Sequence, residues 1–299
     1  MNILVTGRDG QLARSLLEAG HDAKAGIVAV GRPQLDLTDP RSVEYLVGQA
    51  RPDVVVNAAA YTAVDKAESE PAAANAVNAE GAGHLAAACS AISVPLIHLS
   101  TDYVFDGIKD GWYVEDDPVG PINAYGRSKL EGERKVASGC DRHVILRTAW
   151  VHSPWGGNFV KTMLRLATER PLINVVDDQL GSPTYAPHLA ALILAVARRI
   201  VADPAGVQWG TYHAAGAGET SWFGFANAVF HRAAELGLRE PKVSAIRAVD
   251  YPTPSRRPAN SRLDCGKLRR SFGLELPDWR IGVRECVTRL ASTGRDPRS

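Results

Sequence analysis

Ile3-Leu4-Val5-Thr6-Gly7-Arg8-Asp9-Gly10-Gln11-Leu12-Ala13 opens the chain with a short β-branched run, a glycine-punctuated turn and the start of an Ala/Leu-rich stretch. A buried parallel strand reads as a continuous apolar run. Small residues directly after such a strand let backbone N–H groups approach a pyrophosphate at the positive end of the next helix. The spacing is G-x-x-G-x-x-A rather than G-x-G-x-x-G. Glycines alone serve any turn; the strand–turn–helix setting is what points to a dinucleotide, with Gly7 and Gly10 at its phosphates. Further along, 27–30, 54–57, 96–99 and 144–146 repeat the strand pattern, and 11–19, 42–50, 71–91 and 124–137 have helical length and composition. This alternation predicts an α/β fold, a doubly wound parallel sheet, over residues 1–150. After Trp150, helical stretches at 158–168, 187–201 and 222–236 are separated by Pro- and Gly-rich connections. Residues 151–299 are therefore expected to form mainly a smaller substrate-binding lobe, with later segments free to return to the sheet. Residues 293–299 read as a frayed tail.

Composition narrows the partners. A chain of 299 residues, 45% hydrophobic, can bury one substantial core or two unequal ones. Its formal net charge of +1 sets up no global field toward nucleic acid. The longest apolar run, 189–197, is far below the ~18–20 residues that span a bilayer, and the N-terminal run meets Gly7 too early for a signal-peptide core. The expectation is a cytoplasmic protein with a small-molecule partner, no nucleic acid and no membrane. Cys89, Cys140, Cys265 and Cys286 form no C-x-x-C pair and read as reduced thiols. The histidines show no metal-ligand spacing, so no metal is expected.

Three further stretches carry chemistry. Gly31-Arg32 follows the second strand, where a carboxylate usually holds a ribose 2′-OH; an arginine there suits a 2′-phosphate and favours NADPH, though a solvent-facing arginine is the plain alternative. Asp36-Leu37-Thr38-Asp39 offers a carboxylate for an adenine amino group, or else a helix cap before Pro40. Ala58, Ala59 and Ala60, before Tyr61 and Thr62, leave room for a flat ligand at a strand's carboxyl end. The catalytic set is Ser100-Thr101-Asp102-Tyr103 at a strand end and Tyr125-Gly126-Arg127-Ser128-Lys129 on a helix. Tyr125 and Lys129, at i and i+4, share a helical face. A nearby ammonium favours the phenolate of a group that otherwise titrates near 10, which would let Tyr125 trade a proton while Thr101 hydrogen-bonds a carbonyl oxygen.

These residues resemble the extended short-chain dehydrogenase/reductases, and within them the branch that completes dTDP-L-rhamnose synthesis. The resemblance runs over nearly the whole chain, through 51–68, 100–107, 125–129, 147–151, 158–163, 178–184 and 251–261 as well as the N-terminal turn. It implies a Rossmann-type fold and reduction of the C4 ketone of dTDP-4-dehydro-β-L-rhamnose by NADPH, with NADH also accepted. It further implies that Tyr125 protonates O4, Lys129 also binds the nicotinamide ribose and Thr101 polarises the carbonyl. Asp102, Trp150 and Val64 would then lie about the sugar. Gly10, Gln11 and Leu12 would meet the pyrophosphate, Asp36 and Leu37 the adenine, and Ala60, Tyr61 and Thr62 the inner ribose.

Two features point to a nucleotide sugar without the resemblance. Arg256, Arg257, Arg262, Lys267, Arg269 and Arg270 cluster with only Asp264 to oppose them, and Arg257 is the expected fork onto a diphosphate. Trp150 offers an apolar ring to a deoxy-sugar methyl face. The chain departs from the family at Ala13, in place of a third glycine, and at Ser15, Pro187 and Arg289, where some relatives bridge dimers through magnesium-binding carboxylates. A metal-independent monomer or weak homodimer is expected. Tyr103 stands where dehydratases place an acid, which argues against water elimination. Another nucleotide-sugar epimerase or reductase, or a non-catalytic nucleotide-binding regulatory subunit, remains the alternative.

Overall fold

The computed structural model describes residues 1–293, so most of the expected tail, 294–299, lies outside the described residues. The first part runs β1 (Asn2–Thr6), α1 (Gln11–Asp22), β2 (Gly26–Val30), α2 (Pro40–Ala50), β3 (Val54–Asn57), α3 (Val64–Ser69), α4 (Pro71–Asn75), a π-helical turn (Ala76–Glu80), α5 (Gly81–Ala91), β4 (Leu96–Thr101), α6 (Ala124–Gly139) and β5 (His143–Thr148). The second part adds β6 (Val151–His152), α7 (Phe159–Glu169), β7 (Leu172–Val176), β8 (Leu180–Gly181), β9 (Thr184–Tyr185), α8 (Ala186–Ala202), β10 (Gly210–His213), β11 (Thr220–Ser221), α9 (Trp222–Glu235), β12 (Lys242–Ile246), β13 (Asn260–Ser261), α10 (Gly266–Phe272) and α11 (Trp279–Thr293).

Six parallel strands lie in the order β10-β5-β4-β3-β1-β2. Side chains alternate between the two faces of a strand, and the core divides accordingly. Ile3, Val5, Val54, Val56, Val144 and Leu146 face α1 and α8, whereas Leu4, Val55, Leu96 and Ile145 face α2 and α5. Covering on both faces is why these strands are apolar at nearly every position. The chain winds outward from β1 to β2 and then the other way from β3, which opens a crevice beyond the carboxyl ends of β1 and β3.

One departure from the sequence reading has a physical cause. The stretch 71–91 is not one helix: the π-helical turn at Ala76–Glu80 breaks it, and there Asn78 bonds both the backbone N–H and C=O of Tyr61 and the Ser128 hydroxyl. The sheet also takes back β10, and α8 packs in the same core as β1, so the chain leaves the sheet after β5 and returns. A separate apolar cluster joins α7, β7, α9 and α11.

Helix α6 carries Tyr125 and Lys129 and sits close to its neighbours because it presents glycines to them. A Cβ on Gly132 would lie 2.1 Å from the Asn78 carbonyl oxygen, and one on Gly126 would lie 2.1 Å from that of Tyr103. Gly132→Ala should therefore destabilise the protein by about 1–3 kcal/mol through overpacking, although alanine in a helix interior normally gains roughly 0.5–1 kcal/mol over glycine. Urea unfolding checks this; an unchanged or raised midpoint would show that α6 can move outward freely.

Candidate active site

The crevice is a cleft of about 670 Å³ lined by the β1–α1 turn, the ends of β2 and β3 and the start of α6. Every residue expected at a cofactor borders it: Gly7, Gly10, Gln11, Leu12, Gly31, Arg32, Asp36, Leu37, Ala58, Ala60, Tyr61, Thr62, Tyr125 and Lys129. Gly7 has φ +87°, and a Cβ there would stand 2.9 Å from the backbone of Ala59. Both the turn and the close approach of β3 thus require glycine. The Gly10 N–H donates to Gly7 O at 2.8 Å, closing the turn ahead of α1.

At the β2 end the structure adds a residue that the sequence reading missed. Arg8 donates to Gln34 Oε1 at 3.1 Å and to the Arg32 carbonyl at 3.3 Å. Arg32 in turn reaches Asp36 at 3.1 Å. The two guanidinium-bearing residues flank the cleft mouth. Asp39 caps α2 through the Arg41 N–H at 3.0 Å. Asp36 accepts from the Thr38 N–H and hydroxyl, bonds that with Arg32 hold its carboxyl below the usual range.

At the other end, Asn123 caps α6 by accepting from the Gly126 N–H at 2.7 Å, which sets Tyr125 in the first turn. The Thr101 hydroxyl lies close enough to the Tyr125 hydroxyl to oppose the rise in its pKa. Thr101 Oγ1 donates to Asp102 Oδ1 at 3.0 Å. Burial, then the Asp102 charge, pushes the phenol above its ordinary value. The expected downward pull from Lys129 is thus not what dominates. Lys129 Nζ donates instead to the Leu99 carbonyl at 2.6 Å and lies 3.4 Å from His98 Nε2. Burial brings its pKa down to about 8. Asp102 is pushed up to about 6, also by burial.

Beyond Tyr125 lies a second set of polar groups. The Tyr103 ring stands edge-on to that of Tyr125, centroids 5.8 Å apart. Arg257 donates to Asp65 Oδ2 at 2.8 Å, and its charge, near Tyr103, opposes the rise that burial gives that phenol. Arg257 Nη1 and Asp102 Oδ2 are buried without a partner among the described residues. The rest of the basic cluster is partly spent on structure: Arg262 pairs with Glu219 at 2.9 Å, Lys267 donates to the Thr211 carbonyl at 2.9 Å, and Arg269 lies 3.7 Å from Glu275.

Trp150 and Val64 do not border the cofactor cleft. Trp150, at φ +49°, stacks on Trp222 with centroids 3.6 Å apart and packs against Gly181. Ser15 donates to the Gln11 carbonyl, and Arg289 forms a 2.7 Å ion pair with Glu18.

The chain matches the RmlD substrate binding domain family over residues 1–292. It is 50% identical over 297 residues to a dTDP-4-dehydrorhamnose reductase of Sinorhizobium fredii, covering 99% of this chain and 100% of that one. It is 48% identical over 305 residues to a protein of the same name from Burkholderia thailandensis, covering 98% and 100%. Among solved structures, it is similar to dTDP-4-dehydrorhamnose reductase from Bacillus anthracis in complex with NADP, at a TM-score of 0.90 and 35% identity over 96% of this chain and 99% of that one.

Proposed function

The chain belongs to the RmlD substrate binding domain family, and from that premise we propose that it reduces the C4 ketone of dTDP-4-dehydro-β-L-rhamnose with Tyr125 as proton donor. It is an NADP-dependent oxidoreductase of the dTDP-rhamnose route. The observation that carries the residue roles is the setting of Tyr125 between a cleft and a set of buried polar groups. On one side is the dinucleotide-shaped cleft, and on the other are the unpaired polar atoms of Asp102 and Arg257.

The residues present fit the cofactor. Ser100 Oγ and Thr148 Oγ1 are buried without a partner among the described residues, and both residues border the inner end of the cleft. They would meet the nicotinamide carboxamide and its ribose, while the Gly7–Gly10 turn meets the pyrophosphate and Asp36 and Leu37 the adenine. When bound, the cofactor supplies the hydride. Tyr125 holds the proton at its hydroxyl, where burial keeps it until a ketone oxygen arrives. The Thr101 hydroxyl turns its single hydrogen from Asp102 to that oxygen as negative charge grows on it. Lys129, anchored at the β4 end, presents a remaining hydrogen to the ribose. Asp102 and Arg257 hold sugar hydroxyls and phosphate oxygens, and Trp150 and Val64 wall the sugar from the second lobe. We place the enzyme in the cytoplasm as a monomer or weak homodimer that needs no metal, the Glu18–Arg289 ion pair tying α1 to α11 within one chain.

Purified protein given dTDP-4-dehydrorhamnose and NADPH should form dTDP-rhamnose with one NADPH oxidised per product. Absence of product would end the reductase reading, and isomerisation of a nucleotide sugar with no net NADPH oxidation would indicate an epimerase. The arginine pair predicts cofactor choice. Arg8→Ala with Arg32→Ala should raise KM for NADPH about tenfold, the equivalent of one charge-assisted contact near 1.4 kcal/mol, and leave KM for NADH nearly unchanged. Equal effects on both cofactors would mean that the arginines do not read the 2′-phosphate.

A further inference from the structure

Thr6, Asn57 and His98 occupy adjacent positions in register across β1, β3 and β4. All three are buried, at 0%, 1% and 1% exposure, in a sheet whose remaining interior is largely apolar. Burying three polar side chains in a row is costly unless each finds partners, and their partners are one another. Thr6 Oγ1 donates to Asn57 Oδ1 at 2.6 Å, Asn57 Nδ2 lies 3.0 Å from His98 Nδ1, and His98 Nε2 lies 3.4 Å from Lys129 Nζ. The row therefore ends on the amine that the proposed mechanism uses.

We propose that His98, held by Asn57 and Thr6, is a positioning residue for Lys129, fixing the amine at the end of β4 and giving it a hydrogen-bond partner in both its charged and its neutral form. This rests on the reading of Lys129 given above. Counting hydrogens shows why two arrangements exist. With Asn57 Nδ2 donating to Nδ1, the neutral ring carries its hydrogen on Nε2, and that N–H is satisfied by a neutral Lys129 amine, which still donates to Leu99 O. With the Asn57 amide turned over, Oδ1 accepts from Nδ1–H, and the free Nε2 accepts from a Lys129 ammonium. The Thr6 hydroxyl serves either face of the amide, since it both donates and accepts. The two states differ by one proton, lost from Nζ to the cleft, and in neither does a buried polar atom of the row lose its partner.

The surrounding charges permit both states. Burial, the Lys129 charge and His143 on β5 keep His98 well below the ordinary histidine range, so the ring stays neutral. Burial pulls Lys129 down to about 8, against the favourable charge of Glu133 one turn along α6. Glu133 is itself paired with Arg147 of β5 at 2.7 Å; elsewhere on this stretch of α6 Arg127 lies 3.9 Å from Glu68 and Glu131 3.4 Å from Arg134, and Tyr125 lies one turn back on the Lys129 face.

The direct test uses the unaltered protein labelled with ¹⁵N-histidine. As pH rises through about 8, the His98 ring nitrogens should exchange identities, from the Nδ1–H pattern to the Nε2–H pattern; one tautomer at every pH overturns the inference. The kinetic test is Asn57→Asp. A carboxylate only accepts, so it holds Nδ1–H and with it the ammonium, and the alkaline limb of kcat/KM should rise by about one pH unit or more. An unmoved limb in folded protein counts against the proposal. Lys129→Met separates the two levels. If that variant turns over normally, the role of Lys129 and the inference fall together; if it is inactive while the tautomer and the Asn57→Asp limb stay fixed, only the role of His98 falls.

Discussion

Tyr125→Phe should lower kcat by about 10²–10⁴-fold, the usual worth of a positioned proton donor, with the affinity for NADPH left close to that of the unaltered protein. The phenylalanine ring keeps the edge-on contact with Tyr103 and the wall of the cleft; only the hydroxyl is lost. The direction of the tyrosine's perturbation matters to this expectation. A base in this position would need a depressed pKa, whereas burial and the Asp102 charge raise it. A raised value suits reduction, where the phenol must arrive protonated at the ketone. Single-turnover measurement of NADPH oxidation, alongside a cofactor titration, separates chemistry from binding. A kcat within a few fold of the original would remove Tyr125 from the proton-donor role.

Much of this arrangement was legible because strong local patterns fell where the chemistry is. The apolar runs at 3–6, 54–57 and 96–99 announce three central strands, and ligands meet such sheets at strand carboxyl ends. Their order and pairing place Gly7, Ala58 and Tyr125 around one cleft. What stayed hidden depends on adjacency across the sheet. Arg8 gains meaning only when β2 lies beside β1 and brings Arg32 and Gln34 to it. His98 is one polar residue in the apolar run 96–99, and the Asn57 and Lys129 contacts that explain it come from two other elements. Strand β10 is short and mixes glycine and polar residues, so periodicity could not mark it. The i, i+4 spacing placed Tyr125 and Lys129 on one face, but spacing says nothing about depth. It is depth that sends Nζ to the Leu99 carbonyl and reverses the expected shift of the phenol.

The same helix should also show the largest stability effect. Arg147 of β5 forks onto Glu133 of α6, Nε to Oε1 at 2.9 Å and Nη2 to Oε2 at 2.7 Å, with both side chains only 6% exposed. The guanidinium also donates to the Glu115 carbonyl at 3.3 Å and stacks over Phe105 at 5.1 Å. Arg147→Met leaves a buried carboxylate without its cation and should cost about 3–5 kcal/mol, whereas Arg147→Met with Glu133→Leu should recover most of that loss, because well-packed apolar pairs often match buried ion pairs. Urea denaturation of the single and double variants measures both numbers. A single-variant loss below about 1 kcal/mol would mean that water reaches the pair as it does at a surface. The double variant carries a second consequence. Glu133 favours the Lys129 ammonium, so its removal lowers the pH at which that ammonium deprotonates, and the alkaline limb of kcat/KM should move down even where stability is restored. Loss of stability and displacement of the limb would then come apart in one protein, which separates holding α6 against the sheet from keeping its lysine charged.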